Sequence, residues 1–309
     1  KGWIFTMKIL HAADLHLDTP FTGHSQTALT RLQKALAGIP EMLLQLCRQH
    51  KCDLMLLSGD IFDGEPSPQS VRNLRKVLEE VQIPVFISPG NHDFCTPASP
   101  WILQVWPENV HIFTQVESIL LPNLDCRIYG AGFTSMDCPS LLENFRAEGT
   151  ETYHIGVFHG DPTQKNSPYN PISQAQVAAS GLHYLALGHV HKAGQFTAGG
   201  TLCLWPGCPM GRGNDETGEK GVYMVTIEDK AEATFLPLDV PRFYDLEAEV
   251  LTDPRDTVRS LLPAVGNEDF YRITLKGQCQ PFDATAMAFP EFPNLQVRDR
   301  TEPPADLPR

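Results

Sequence analysis

The sequence lacks any run of the roughly 20 apolar residues that a membrane-spanning helix requires. No membrane association is therefore expected, and with 42% hydrophobic and 20% charged residues the chain reads as an ordinary soluble globular protein. The opening Lys1-Gly-Trp-Ile-Phe-Thr6 is too short and too mixed for a secretory leader, so Met7 reads as a natural start and a cytoplasmic location is the expectation. Basic charge is scarce: 24 Lys and Arg stand against 37 Asp and Glu, a net charge of −13. That disfavours the broad basic footprint of non-specific DNA binding, so contact with a nucleic acid must be local, metal-mediated or shared with a partner. The eight cysteines form no CxxC and keep no regular spacing, which argues for reduced thiols rather than a disulfide framework. Cys203 and Cys208, beside a Pro-rich turn, read as structural rather than zinc-binding. No internal repeat is found, and 309 residues suffice for one large domain and a smaller one.

What the sequence does contain is one layout used repeatedly. Leu54-Met-Leu-Leu runs into Ser58-Gly59 and then presents Asp60 and Asp63. A short apolar run ending at Gly reads as a buried parallel strand, and in open α/β sheets ligands bind just beyond the carboxyl ends of such strands. Alone, Gly-Asp after a strand is an ordinary turn. The same layout recurs, however, before Asp14-Leu-His16, before Gly90-Asn-His-Asp93, before His159-Gly-Asp161 and before Gly188-His-Val-His191. A purely structural reading has to explain every one of these coincidences.

The segments between them set the organisation. Leu29, Leu32, Leu36, Ile39, Leu43 and Leu46 recur at helical spacing, with Pro40 expected to kink or split the helix. Pro66 and Pro68 open a second helix carrying Val71, Leu74, Leu78 and Val81 on one face. The resulting β-α-β-α-β order predicts a mostly parallel α/β sheet. Residues 111–113, 118–121 and 127–129 read as strands of a second sheet, Leu141 to Phe145 as a short helix, and Trp101 and Trp106 as packing residues. Strands follow to about residue 240. The expected division is a catalytic domain over 7–240, a small αβ unit over 241–280 and an extended Pro-rich tail over 281–309.

Asp14, His16, Asp60, Asn91, His159, His189 and His191 combine carboxylate, amide and imidazole donors, a set that suits Mn(II), Fe or Zn(II). There are more donors than one zinc ion uses, so two ions are implied, with a carboxylate bridging them. Asp60, on the middle strand, is the natural bridge. Two such cations clamp a phosphate and acidify a water. His92 lies among the ligands without being needed as one; it is placed to contact the phosphate and protonate the leaving oxygen, with Asp63 orienting its ring. Asp18, Asp93 and Asp161 read as capping or supporting residues, His11 and His24 as structural or exposed.

Taken together, Asp14-x-His16, Gly59-Asp60-x-x-Asp63, Gly90-Asn-His-Asp93, His159-Gly160 and Gly188-His-x-His191 resemble the calcineurin-like metallophosphoesterases over about residues 7–240. The resemblance implies a two-sheet αββα sandwich. It also implies one metal on Asp14, His16, Asp60 and His191 and another on Asp60, Asn91, His159 and His189. Asp-Leu-His-Leu-Asp-Thr-Pro-Phe21 and the αβ unit after residue 241 look like the SbcD-type DNA repair exonucleases, in particular their YhaO-like branch. That likeness implies Mn(II)-dependent cleavage of DNA, a homodimer, an SMC-like ATPase partner of the SbcC kind, and an αβ unit that caps the site. The chain departs from the family in its acidity and in having no obvious C-terminal helical hairpin for the ATPase. The alternative is a phosphoesterase acting on a nucleotide, a cyclic nucleotide or a phosphoprotein. A fold used only as a scaffold would be expected to have lost ligands, and none is missing.

Overall fold

The computed structural model describes residues 6–304. Residues 1–5 of the stretch expected to precede a natural start, and residues 305–309 of the expected tail, lie outside the described residues. The chain divides into two compact units, one comprising the chain up to residue 22, 33–210 and 220–238, the other 23–32, 211–219 and the chain from 239.

In the first unit, strands β1 (Met7–Ala12), β2 (Leu54–Leu57), β3 (Val85–Ile87) and β4 (Val110–Ile112) are parallel neighbours. Between them in the chain lie α1 (Gln26–Ala37), whose residues up to 32 belong to the second unit, α2 (Ile39–His50), α3 (Pro68–Val81) and the short α4 (Pro100–Leu103). Pro40 splits the long amphipathic stretch as expected: α1 ends and α2 restarts after Gly38, with the proline in the first turn, where its missing N–H is not needed. Ser67 caps α3 by accepting the Ser70 N–H.

A second sheet holds β5 (Glu117–Leu121), β6 (Cys126–Ala131), β7 (Tyr153–His159), β8 (Tyr184–Gly188), β9 (Gly194–Ala198) and β10 (Thr201–Trp205), with helix α5 (Gln174–Ala179) between β7 and β8. Strands β11 (Gly221–Ile227) and β12 (Ala231–Pro237) return to the first sheet, whose order is β12-β11-β1-β2-β3-β4.

Alternate residues of both sheets, among them Ile9, Leu54, Leu56 and Phe86 from one and Ile128, Ile155, Val157 and Tyr184 from the other, make a single buried core. The sheets therefore face each other, as in the expected sandwich. The outer face of the second sheet is covered through Leu142, Ile172, Val177 and Leu182.

Two local expectations are corrected. The strand at 110–112 is the edge of the first sheet, not part of the second, because it pairs with β3 and Phe113 donates its N–H to Ile87 O. A three-residue apolar strand does not specify its sheet. Leu141 to Phe145 forms turns and no helix: the Leu141 N–H is captured by the Asn170 side chain, and Leu142 is buried from an irregular backbone.

The core also holds an imidazole. His11 is fully buried, its Nδ1 2.6 Å from the Tyr184 hydroxyl and its Nε2 2.6 Å from Ser58 Oγ. Burial lowers its pKa to about 3, against a small opposing effect from the Leu187 backbone. The folded state thus binds this proton less readily than the unfolded chain. Its contribution is complete above pH 6.5 and falls as pH drops toward 3, by about 2 kcal/mol between pH 6.5 and 5. In His11→Gln, chemical denaturation should show lower stability at neutral pH but a shallower loss over that interval. An unchanged acid slope would contradict a neutral buried His11.

In the second unit, β13 (Phe243–Glu249), α6 (Pro254–Leu261) and β14 (Phe270–Lys276) match the expected small αβ unit. The expected tail does not match. Residues 295–299 form β15, a strand parallel to β14, and Phe289 and Phe292 are buried with Val258, Tyr271 and Ile273. The separation of 241–280 from 281–309 is therefore replaced by one unit that continues through the described residues. The prolines suggested an extended chain; two phenylalanines and Leu295–Asp299 anchor it.

Candidate metal centre

The polar clusters follow β1, β2, β3, β7 and β8, each parallel to its strand neighbour within this group, so all project from carboxyl ends. The loops after β1 and β2 are laced together. The Asp14 N–H donates to Gly59 O (3.0 Å), the His16 N–H to Asp60 O (2.9 Å) and the Asp63 N–H to Leu17 O (2.9 Å). Within this lacing Asp14, His16 and Asp60 adopt φ of 52°, 47° and 50°, and His189 on the facing sheet adopts 99°. A left-handed backbone at such residues costs roughly 1–3 kcal/mol each, and its concentration at one rim is the signature of a site whose geometry is held against strain.

Close approach also requires glycine. A Cβ at Gly90 would lie 2.2 Å from Asp60 Oδ1, and one at Gly59, itself at φ +91°, would lie 2.4 Å from His159 Nδ1. Gly90→Ala must displace Asp60, and Mn(II) affinity measured by titration should fall about tenfold or more. Affinity equal to that of the parent protein would contradict this placement.

The donors meet as the sequence suggests. Asp14, His16 and His191 each bring one donor atom within 4.8 Å of the other two, as do Asp14, Asp60 and His159. His159 Nδ1 lies 3.0 Å from Ser58 O, to which it donates, so the neutral ring turns a lone pair on Nε2 inward. That Nε2 faces Asn91 Oδ1 at 2.9 Å and Asp60 Oδ2 at 3.4 Å. His189 Nδ1 is 3.2 Å from the same Asn91 oxygen. On the other side of Asp60, His16 Nε2 lies 3.2 Å from His191 Nε2 and 3.7 Å from Asp60 Oδ2.

These are acceptors converging on acceptors, which repel unless a cation or a shared proton lies between them. A cation about 2.1 Å from each donor sets donor–donor edges of roughly 3.0–3.4 Å, matching most of these distances. The residues present thus fit a pair of divalent cations flanking Asp60.

Asp60 itself is divided between tasks. Its Oδ1 accepts the His92 N–H at 2.9 Å, leaving Oδ2 toward the imidazoles. Burial works against the charge on Asp60, and the His92 N–H supports it.

His92 stands apart from the buried donors, with its side chain 44% exposed and its Nδ1 2.9 Å from Asp63 Oδ1. Asp63 also lies 3.4 Å from His16 Nδ1, outside hydrogen-bond geometry, and accepts from Thr19 Oγ1. The nearby His16 ring and the His92 hydrogen bond keep the Asp63 carboxyl well below its usual pKa. His16, Asp63 and His92 also form a compact triple of donors, but the His92–Asp63 hydrogen bond already accounts for that contact.

The residues read as supporting take such places. Asp93 is buried and accepts from the Gly90, Ile61 and Phe62 N–H groups, clamping the β2 and β3 loops together; burial and then the Asp60 charge push its carboxyl up to about 7. Asp18 accepts from Ser67 and Ser70 at the start of α3. Asp161 accepts from Thr163 and Gln164 and lies 3.9 Å from His189 Nε2. His24 packs edge-on against Phe270. Trp101 is buried and donates to Asp93 O. All eight cysteines are buried and form no disulfide.

Three contributors were not foreseen from the sequence. The Ser58 carbonyl fixes the His159 tautomer, the Asn170 side chain donates to His159 O at 2.8 Å, and Tyr169 packs on the His189 ring at 4.8 Å between centroids. A backbone carbonyl leaves no sequence signal, and the latter two lie in a loop whose closure onto β7 only the fold reveals.

Comparison with known proteins places this geometry. Residues 7–193 match the family model described as calcineurin-like phosphoesterase. The metallophosphoesterase YhaO of Bacillus subtilis, itself described as uncharacterized, is 33% identical over 237 residues, 72% of this chain and 57% of the relative. The chain thus spans little more than half the length of that relative. The SbcD component of the SbcCD nuclease of Staphylococcus epidermidis is 23% identical, covering 94% of this chain and 84% of the relative. The DNA double-strand break repair protein Mre11 of Saccharolobus solfataricus is 26% identical over 62% of this chain and 51% of the relative. Among solved structures, a dimetal phosphatase from Danio rerio superposes with a TM-score of 0.49 at 13% identity, over 74% of this chain and 98% of that one.

Proposed function

Because this chain belongs to the calcineurin-like phosphoesterase family, we propose that it hydrolyses phosphodiester bonds with two divalent metal ions, and that its substrate is DNA. The observation that carries the reading is the convergence of His159 Nε2, Asn91 Oδ1 and Asp60 Oδ2 as facing acceptors on the rim that also bears the His92–Asp63 pair. Asp14, His16, Asp60 and His191 would hold one cation, and Asp60, Asn91, His159 and His189 the other. When bound, such a pair supplies Lewis-acid polarisation of the phosphoryl group and acidifies the attacking water.

The protein's own groups do the rest. Asp63 accepts from His92 Nδ1, favours the imidazolium, and turns Nε2 outward toward the place where a leaving oxygen departs. His92 donates that proton as the ester bond breaks. The His92 backbone, tied to Asp60 Oδ1, holds the donor in register with that carboxylate.

The likeness to the SbcD component of a nuclease along most of this chain supports DNA as the substrate. From the resemblance of the sequence motifs to SbcD-type exonucleases we further propose Mn(II) as the metal, exonucleolytic action, a homodimer, an SMC-like ATPase as partner and work in the cytoplasm. The second reading, a nucleotide or another small phosphoester, is favoured by the net charge of −13, which opposes polyanion binding. The test is Mn(II)-dependent hydrolysis of linear double-stranded DNA beside bis-p-nitrophenyl phosphate, with Asp60→Asn as the control. Degradation of DNA by the parent protein alone is the expected result. Turnover of the small diester without DNA cleavage would favour the second reading, and turnover of neither would overturn the assignment.

A further inference from the structure

We propose that the cavity beside His92 receives the substrate's leaving group, and that it takes a flat, uncharged ring such as a nucleobase or an aryl ester. The inference rests on the reading above that His92 protonates the leaving oxygen. The cavity has a volume of about 370 Å³ and His92 forms part of its wall, which places it among small-ligand clefts, roughly 300–1,000 Å³.

Its chemistry selects the ligand. No Lys or Arg lines it, and its carboxylates are Glu65 and the buried Asp93, so a further phosphate or any other anion meets no counter-charge there. A cation finds Glu65 but not Asp93, whose oxygens are already taken by the Gly90, Ile61 and Phe62 N–H groups. The hydroxyl of Ser99 is spent within the loop, donating to Thr96 O and accepting the Thr96 N–H. What remains for a ligand is the half-buried Phe94 with Pro66, Pro100 and the exposed Ala98, together with the Thr96 hydroxyl, which accepts the Ala98 N–H. Such a surface gains from covering a flat ring and gains little from a sugar or a charged group.

Position completes the argument. His92 is shared between the two features: its Nδ1 is held by Asp63, and the residue lines the cavity. The group whose oxygen takes the His92 proton is therefore the group whose body lies against Phe94. In a DNA substrate that body would be the nucleoside on the leaving side of the scissile bond.

The test compares two competitive inhibitors of Mn(II)-dependent bis-p-nitrophenyl phosphate hydrolysis by the full chain. Phenylphosphonate and methylphosphonate carry the same anion and differ in the ring. Phenylphosphonate should inhibit the parent protein about tenfold more tightly. Ala98→Trp fills the cavity from an exposed position, and Phe94→Ala removes its aromatic wall; both should abolish the difference while the methylphosphonate inhibition constant moves less than about twofold. No preference for the ring in the parent protein, or a preference kept by both variants, would overturn the proposal. If the parent protein hydrolyses no diester, the phosphoesterase reading itself fails and this inference falls with it.

Discussion

Asp60→Asn is expected to lower hydrolysis of bis-p-nitrophenyl phosphate by about a thousandfold or more. Asp60 faces both halves of the donor cluster, with Oδ2 3.4 Å from His159 Nε2 and 3.7 Å from His16 Nε2. In the amide, Oδ1 can still accept the His92 N–H, so the loop after β3 stays anchored. The other atom becomes an NH₂ group that donates to the imidazoles and would hold cations poorly. The loss should therefore appear in turnover and metal content, with thermal unfolding of the metal-free protein little changed. Steady-state kinetics with added Mn(II) and a melting curve check both halves, and activity within tenfold of the parent protein would show that Asp60 bridges nothing.

His92→Ala should leave metal binding intact and reduce turnover of DNA or the small diester by about a hundred- to ten-thousandfold, the usual range for losing a positioned general acid. The side chain is 44% exposed and bonded at its Nδ1 edge to Asp63, so its removal opens no core cavity. The backbone N–H that supports Asp60 remains. The effect should shrink for substrates whose leaving group needs no proton, so p-nitrophenyl esters should lose less than DNA. Equal losses for both, or loss of bound metal, would assign His92 a ligand role instead.

Much of this site was legible because its chemistry sits in short, local patterns. Each donor follows an apolar run within a few residues, and a strand's carboxyl end points its next residues to one rim whatever the rest of the chain does. Asp14, His16, Asp60, Asn91, His92, His159, His189 and His191 could thus be brought together before any fold was known. What could not be read depends on contacts distant in sequence. Asn170 and Ser58 reach His159 through the closure of a loop and the pairing of two sheets, and neither residue type announces that. Gly90 is a plain turn residue until Asp60 lies where its Cβ would be.

The fold was legible to a similar depth and for similar reasons. Helical spacing gave α2 and α3, and Pro40 gave the break between α1 and α2. Composition alone places the strand at 110–112 with the second sheet, whereas its pairing with β3 is a matter of register. The Pro-rich end misled in the opposite direction: Phe289 and Phe292 find burial only against β14 and α6, which lie earlier in the chain.

The most direct measurement is the number of Mn(II) ions bound per chain, by calorimetric titration or by elemental analysis after desalting. Two are expected for the parent protein, two for His92→Ala and fewer than two for Asp60→Asn. One ion or none in the parent protein, or two in Asp60→Asn, would contradict a dinuclear centre bridged by that carboxylate.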